Sequence, residues 1–217
     1  YPKAQVSANR IMEVLNTEPI IKSPKNGIKD TENKGTIEFE NVSFTYPNGE
    51  EPVIKDVSFS GKKGEVIAFI GSTGSGKSTL INLIPRFYDV TKGSIKIDGV
   101  DVRDYDLKYL RKKIGFIPQK TLLFTGSIAN NIKFGKKDAE YKEVEDSAKI
   151  AQAYEFISNK PNKFDEIITE GGSNVSGGQK QRLSIARAIV RKPDIYIFDD
   201  SFSALDFKTD AILRKEV

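Results

Sequence analysis

Gly71-Ser72-Thr73-Gly74-Ser75-Gly76-Lys77-Ser78-Thr79 lies between two apolar runs, Val66-Ile67-Ala68-Phe69-Ile70 before it and Leu80-Ile81-Asn82-Leu83-Ile84 after it. The first run predicts a strand and the second a helix start, so the stretch between them reads as a glycine loop that opens a helix. Glycines at 71, 74 and 76 let the backbone turn tightly and aim several N–H groups inward, a concave nest for phosphate oxygens at a helix N-terminus. Lys77 can then reach the outer phosphates and the Ser78 hydroxyl is placed to ligate Mg²⁺. An ordinary Gly/Ser turn is the plainer alternative, and the flanking strand and helix weigh against it.

Working outward, 217 residues can bury one substantial core with a subdomain attached. The 34 Lys and Arg are interspersed with 30 Asp and Glu rather than gathered in a stripe, which argues against a nucleic-acid binder. Cysteine and histidine are both absent. That excludes a disulfide framework and a thiolate metal site, and it removes the commonest general base. No stretch approaches the roughly 18 apolar residues of a membrane span, and no signal-peptide core is present.

Val6, Ile11, Val14 and Leu15 fall on one helical stripe and predict a short helix over 2–16, followed by a Pro/Gly-containing linker to a boundary near Gly35. Thr36 to Phe44 and Val53 to Ser60 alternate polar and apolar residues, predicting a small antiparallel sheet that precedes the loop strand. Tyr46, at the exposed end of that sheet, either stacks on a base or covers core, and its spacing alone favours covering core. Further on, Gly93 to Gly99 reads as a strand and turn, Leu107 to Lys113 as a helix, and Ile114-Gly115-Phe116-Ile117 as a buried strand closed by Pro118 and Gln119. Helical periodicity over 127–134 and 142–158 predicts a mostly helical insertion between two halves of a nucleotide core.

Ser176-Gly177-Gly178-Gln179 precedes a long helical run and has the look of a helix N-terminus with free N–H groups, or simply of a capped helix. Pro193 ends that helix, and Ile195-Tyr196-Ile197-Phe198 predicts a buried strand ending in Asp199-Asp200. A carboxylate at the C-terminal end of a strand beside a phosphate loop is where a Mg²⁺ water ligand belongs, so Asp199 is the metal candidate. Ser203-Ala204-Leu205-Asp206 and a further helix start complete the chain.

The loop at 71–79, Gln119, Ser176 to Gln179, Asp199-Asp200 and Ser203 to Asp206, in this order, resemble the nucleotide-binding domain of ATP-binding cassette transporters, over about 36–217. Tyr46-Pro47, the stretch Leu123 to Ile132 and the N-terminal helix look like the exporter type in particular. The resemblance implies an α/β fold: a P-loop NTPase (RecA-like) core with an N-terminal antiparallel β subdomain and an inserted α-helical subdomain at about 120–180, C-terminally truncated. Residues 1–35 would be a linker and the end of a transmembrane-helix extension. It further implies ATP and Mg²⁺ as cofactors, with Tyr46 stacking on adenine and Ser72, Thr73, Gly74, Ser75, Gly76, Lys77, Ser78 and Thr79 holding the phosphates. Ser78, Gln119 and, through water, Asp199 would serve the metal, and Lys77, Gln119 and Asp200 would act in hydrolysis. Ser176, Gly177, Gly178 and Gln179 would contact the γ-phosphate of ATP held by a second nucleotide-binding domain, identical or different, and Asp206 would organise the seam between the two.

Departures from the family pattern shape the expectation. Family members follow the metal-binding aspartate with glutamate, and here that position is Asp200, which draws the carboxylate back by roughly 1.5 Å, where errors of about 1 Å can cost ~100-fold in rate. This resembles the degenerate site of heterodimeric exporters. Val175 and Gly172-Ser173-Asn174 also depart, leaving Glu170 as the acidic contact toward a membrane domain. The switch histidine of exporter cassettes is absent, so the natural protein is expected to continue past Val217, to carry membrane helices before Tyr1, and to lie at the cytoplasmic face of the cell membrane. As a fragment it is expected to hydrolyse ATP poorly. Competing expectations are an ATP-gated regulatory module, a soluble cassette protein of repair or translation, and a GTPase, for which Asn159-Lys160-Pro161-Asn162 lacks the base-reading aspartate.

Overall fold

The computed structural model describes residues 2–32, 34–202 and 205–216. An exposed helix, α1 (Pro2–Asn16), leads into a stretch that ends at the first strand. β1 (Ile37–Phe44) pairs antiparallel with β2 (Ile54–Gly61) on one side and, after α2 (Lys77–Leu83), with β3 (Lys92–Ile97) on the other. β4 (Val100–Asp101) adds a short edge, giving the order β2-β1-β3-β4. The predicted antiparallel sheet is therefore present, widened by β3. Its inward side chains Phe39, Val42, Phe44, Ile95 and Ile97 close on Leu80 and Leu83 of α2, on Ile84 just after it, and on Tyr105 and Leu110, burying the apolar face that alternation requires.

α3 (Leu107–Lys113), capped by the Asp106 side chain accepting from Tyr109 N, runs directly into β5 (Ile114–Ile117). β6 (Gly126–Ser127), α4 (Ile128–Lys133), α5 (Tyr141–Ile150), α6 (Tyr154–Ser158) and β7 (Ile167–Ile168) form the expected helical insertion, which packs on α7 (Gly177–Ile189) through a second core. The single helix anticipated over 142–158 is two, because the chain turns at Gln152 with φ 55. β8 (Ile195–Phe198) pairs parallel with β5, and α8 (Phe207–Glu216) follows. No described helix is long and apolar enough to cross a membrane.

Two segments differ from expectation. Val66–Ile70, predicted as the strand leading into the 71–79 loop, pairs with no described strand. Its alternate residues are already used: Phe69 packs edge-on against Phe59 at 5.3 Å, and Ile67 lies so close to Gly61 that a Cβ there would meet its Cδ1 at 2.6 Å. Val66 and Ile70 point the other way and are 90% and 96% exposed. A strand of a parallel sheet needs cover on both faces, and here only one is covered.

The stretch expected as a linker is instead fastened down. Ile28 forms a parallel bridge with Tyr105, its N–H donating to Asp104 O at 2.9 Å and its carbonyl accepting from Asp106 N at 3.1 Å. Leu107 N donates to Ser23 Oγ, and the buried Arg86 donates to Lys22 O. At the far end, Thr36 N and Thr31 Oγ1 both donate to Asp98, which is ion-paired at 2.9 Å with Lys113.

Candidate functional site

Lys77 is the first residue of α2 and Gly76 its N-cap, with φ 89; Gly74 has φ 83. Any other residue would be strained at both positions, so these two glycines are what let the loop curl back over the helix start. The Lys77 ammonium is folded into the mouth of that loop, donating to Gly71 O and Ser72 O at 2.7 Å each and to Ser75 Oγ at 3.3 Å. A cation satisfied by loop carbonyls and a neutral hydroxyl would gain from anionic oxygens in the same place, since charge-assisted hydrogen bonds are about twice as strong as neutral ones.

The next residue joins the two halves of the core. Ser78 Oγ donates to Asp199 Oδ1 at 2.8 Å, across 121 positions of sequence. Asp199 occupies the end of β8, where Asp199 N donates to Ile117 O and so continues the pairing with β5. No cluster of three or more metal-ligating side chains exists among the described residues. Two hard oxygens on opposite elements suit Mg²⁺ nonetheless, because that ion keeps several waters and takes its other ligands from phosphate. Asp200, with φ 48, turns its carboxylate toward the segment after β5, and Gln119 Nε2 donates to its Oδ2 at 3.0 Å. Two side-chain hydrogen bonds, Ser78 to Asp199 and Gln119 to Asp200, thus draw these four residues to one locus, with Lys77 next to Ser78 in the chain.

Tyr46 is fixed from two sides. Its hydroxyl is 3.0 Å from Thr79 Oγ1, and its ring meets Phe44 and Tyr88 edge-on at 4.9 and 5.3 Å. The tyrosine is thus anchored beside α2, a place from which a ring could lie under a base, while part of it covers core. Ser72 and Thr73 lie on the exposed outer part of the loop.

Ser176 to Gln179 stand apart from this locus: no hydrogen bond among the described residues joins them to 71–79. Ser176 Oγ accepts from Gln179 N at 3.3 Å while Gln179 Oε1 accepts from Ser176 N at 3.1 Å, a reciprocal capping box at the start of α7. A Cβ built on Gly177 would meet nothing within 4 Å, so the tip is open. Gly172-Ser173-Asn174 has a local task, closing the turn after β7 with Asn174 Nδ2 donating to Ile167 O at 2.7 Å. Asp206 caps α8 by accepting from Thr209 N at 2.9 Å, and that bond holds its carboxyl below the usual aspartate range. Ser203 and Ala204 lie outside the described residues. Asn162 is engaged by Glu166.

Reasoning from sequence missed Thr121 and Gln181, whose side chains meet at 2.5 Å between the loop after β5 and α7. Neither belongs to a recognisable motif, and Gln181 is one of two polar residues, with Ser184, among the buried positions of α7. It missed Arg187 as well, which donates to Leu122 O at 2.9 Å and to Asn131, and sits over the rings of Phe124 and Phe134. Burial pulls the Arg187 guanidinium below the usual arginine range.

The family model described as ABC transporter matches residues 54–203, more than half of the chain. The ABC transporter ATP-binding protein YfiB of Bacillus subtilis (strain 168) is 47% identical over 217 residues, covering 100% of this chain and 38% of the relative. Multidrug resistance protein pgp-1 of Caenorhabditis elegans is 44% identical over 214 residues, covering 98% of this chain and 16% of the relative. A solved structure of a bacterial Atm1-family ABC exporter with ATP bound superposes with a TM-score of 0.91 at 32% identity, covering 99% of this chain and 37% of that one. The chain spans less than two-fifths of the length of these curated relatives. It belongs to the ABC transporter family, with the fold of the nucleotide-binding domain of an exporter.

Proposed function

We propose that the chain binds Mg-ATP at Lys77, Ser78 and Asp199, and that two such domains close head to tail over two nucleotides to drive attached membrane helices through an export cycle at the cytoplasmic face of the membrane. The observation that carries this reading is the 2.8 Å contact between Ser78 and Asp199, which brings the loop helix and the end of β8 to one point. The separation of Ser176–Gln179 from 71–79 supports the pairing: an open glycine tip with no role in its own site has N–H groups to offer an anion on another chain. The exposed Val6, Ile11, Val14 and Leu15 of α1 support attachment to further protein.

Within the site, Lys77 would exchange its loop acceptors for β- and γ-phosphate oxygens. Bound Mg²⁺ supplies charge neutralisation across the phosphates. Asp200 would accept a hydrogen bond from the attacking water and Gln119 would hold that carboxylate in place, as their 3.0 Å contact supports. Because aspartate is one methylene short of the family's glutamate, this site would retain ATP longer than it would cleave it, and the intact Ser176–Gln179 tip would serve a partner domain that turns over faster.

The experiment is steady-state ATP hydrolysis by the full-length assembly, with and without Asp200→Glu. A gain of at least tenfold on restoring the methylene supports a slow catalytic site. ATP binding with no turnover in either form supports the alternative, an ATP-gated regulatory module, for which the short Asp200 side chain is again the favouring observation. Turnover that is fast with Asp200 and unchanged by the substitution contradicts the slow-site reading.

A further inference from the structure

Gln181 lies one turn into α7 and is 3% exposed, yet its amide is only half satisfied. Its Oε1 accepts from Thr121 Oγ1 at 2.5 Å, while its Nε2 has no partner among the described residues. A buried donor left unpaired lowers stability, so an apolar residue would serve packing better at this position. The partner it does have is informative. Thr121 sits two residues beyond Gln119, and Gln119 holds Asp200 in the nucleotide locus.

The same helix grips the same loop once more. Arg187, six residues further on and roughly 9 Å along the helix axis, donates to Leu122 O. The two grips differ in kind. Arg187 is braced by Asn131 O and Asn131 Oδ1 as well, so it is a fixed clamp. The Gln181 contact joins one side chain to another and keeps a spare donor. A threonine hydroxyl both donates and accepts, so it can face either end of the amide.

We propose that Gln181 is a positioning residue, passing the placement of Gln119 in the chain's own nucleotide site through Thr121 to the Ser176–Gly178 tip of α7. The inference rests on the reading that this tip engages ATP on a second domain. It adds that occupancy of one site sets the tip that completes the other, through one side-chain pair.

The test uses the full-length protein as wild type, Thr121→Val, Gln181→Leu, the double variant and Thr121→Ser. Two quantities are measured: the affinity for a fluorescent ATP analogue, and the slowing by Mg-ATP of amide exchange at Gly177–Gln179. The expected result is affinity within twofold of wild type in every variant. Nucleotide-dependent slowing at the tip falls at least fivefold in Thr121→Val and in Gln181→Leu, the double variant is no worse than either, and Thr121→Ser behaves as wild type. Losses that add in the double variant, or undiminished slowing in Thr121→Val or Gln181→Leu, overturn the proposal; the threonine variant keeps the test decisive if Gln181→Leu does not fold. Wild type that binds the analogue without any slowing at the tip refutes the pairing reading itself, and this inference with it.

Discussion

Residues 22–36 and residues 66–70 exchange the roles that their compositions suggest. The first, with Pro24, Gly27 and mixed charge, has the make-up of a free tether, yet it is pinned at Lys22, Ser23, Ile28, Thr31 and Thr36. The second, Val-Ile-Ala-Phe-Ile, has the make-up of a central strand, yet Val66 and Ile70 face outward. Composition reports what a segment can bury or bond, and the outcome depends on whether the rest of the chain provides the complementary surface. The tether finds Asp98, Arg86 and the backbone of 104–107. The apolar run finds a sheet for Ile67 and Phe69 and no described residue to cover its other side.

The firmest point of the tether is the ion cluster around Lys113, and it offers the largest way to break the contrast. Lys113 pairs with Asp98 at 2.9 Å and Asp194 at 2.7 Å, with side chains 4% and 0% exposed for Lys113 and Asp98. Lys113→Met leaves a buried carboxylate uncompensated and is expected to cost about 3–5 kcal/mol in denaturant unfolding, with faster amide exchange at Thr36. The same group yields a pH dependence. Burial pulls the Lys113 ammonium down, but hydrogen bonds to Asp194 and Asp98 outweigh it and hold it above the usual lysine range. A pKa raised on folding stabilises fully below the unfolded value of about 10.4. That contribution drains away as pH rises past it toward the folded value, so wild type should lose stability at alkaline pH more steeply than Lys113→Met.

Next in size is Gly27→Ala. A Cβ there would lie 2.5 Å from Asp106 N and 2.8 Å from Asp106 Cα, both backbone atoms that can yield only by moving the strap. A loss of about 1–3 kcal/mol is expected, and a neutral effect would show that the strap is not seated against α3. The smallest expected effect sharpens the other half of the contrast. Val66→Ser and Ile70→Ser should each change stability by less than about 0.5 kcal/mol, as exposed positions do. A loss of 2 kcal/mol or more would place the run inside a sheet.

What was legible in the sequence was local. The 71–79 loop, α3, β5, α7 and β8 follow from short-range periodicity and from residues whose chemistry is complete within a few positions. The capping box at Ser176 and Gln179 is of this kind, since both members lie in one turn. What was not legible depends on pairs far apart. Lys113 meets Asp194 across 81 positions and Thr121 meets Gln181 across 60, and nothing local marks either pair. Tyr46 sits between the two cases, because its ring faces and its hydroxyl partner Thr79 are set by the packing of β1 on α2.

The claim on which the functional account turns is that Lys77, Ser78 and Asp199 form a seat for Mg-ATP, and isothermal titration of the full-length protein tests it most directly. The account predicts saturable Mg-ATP binding that weakens at least tenfold in Lys77→Ala and becomes indifferent to Mg²⁺ in Ser78→Ala. Binding in Lys77→Ala within twofold of wild type, or no binding by the wild-type protein at all, would contradict it.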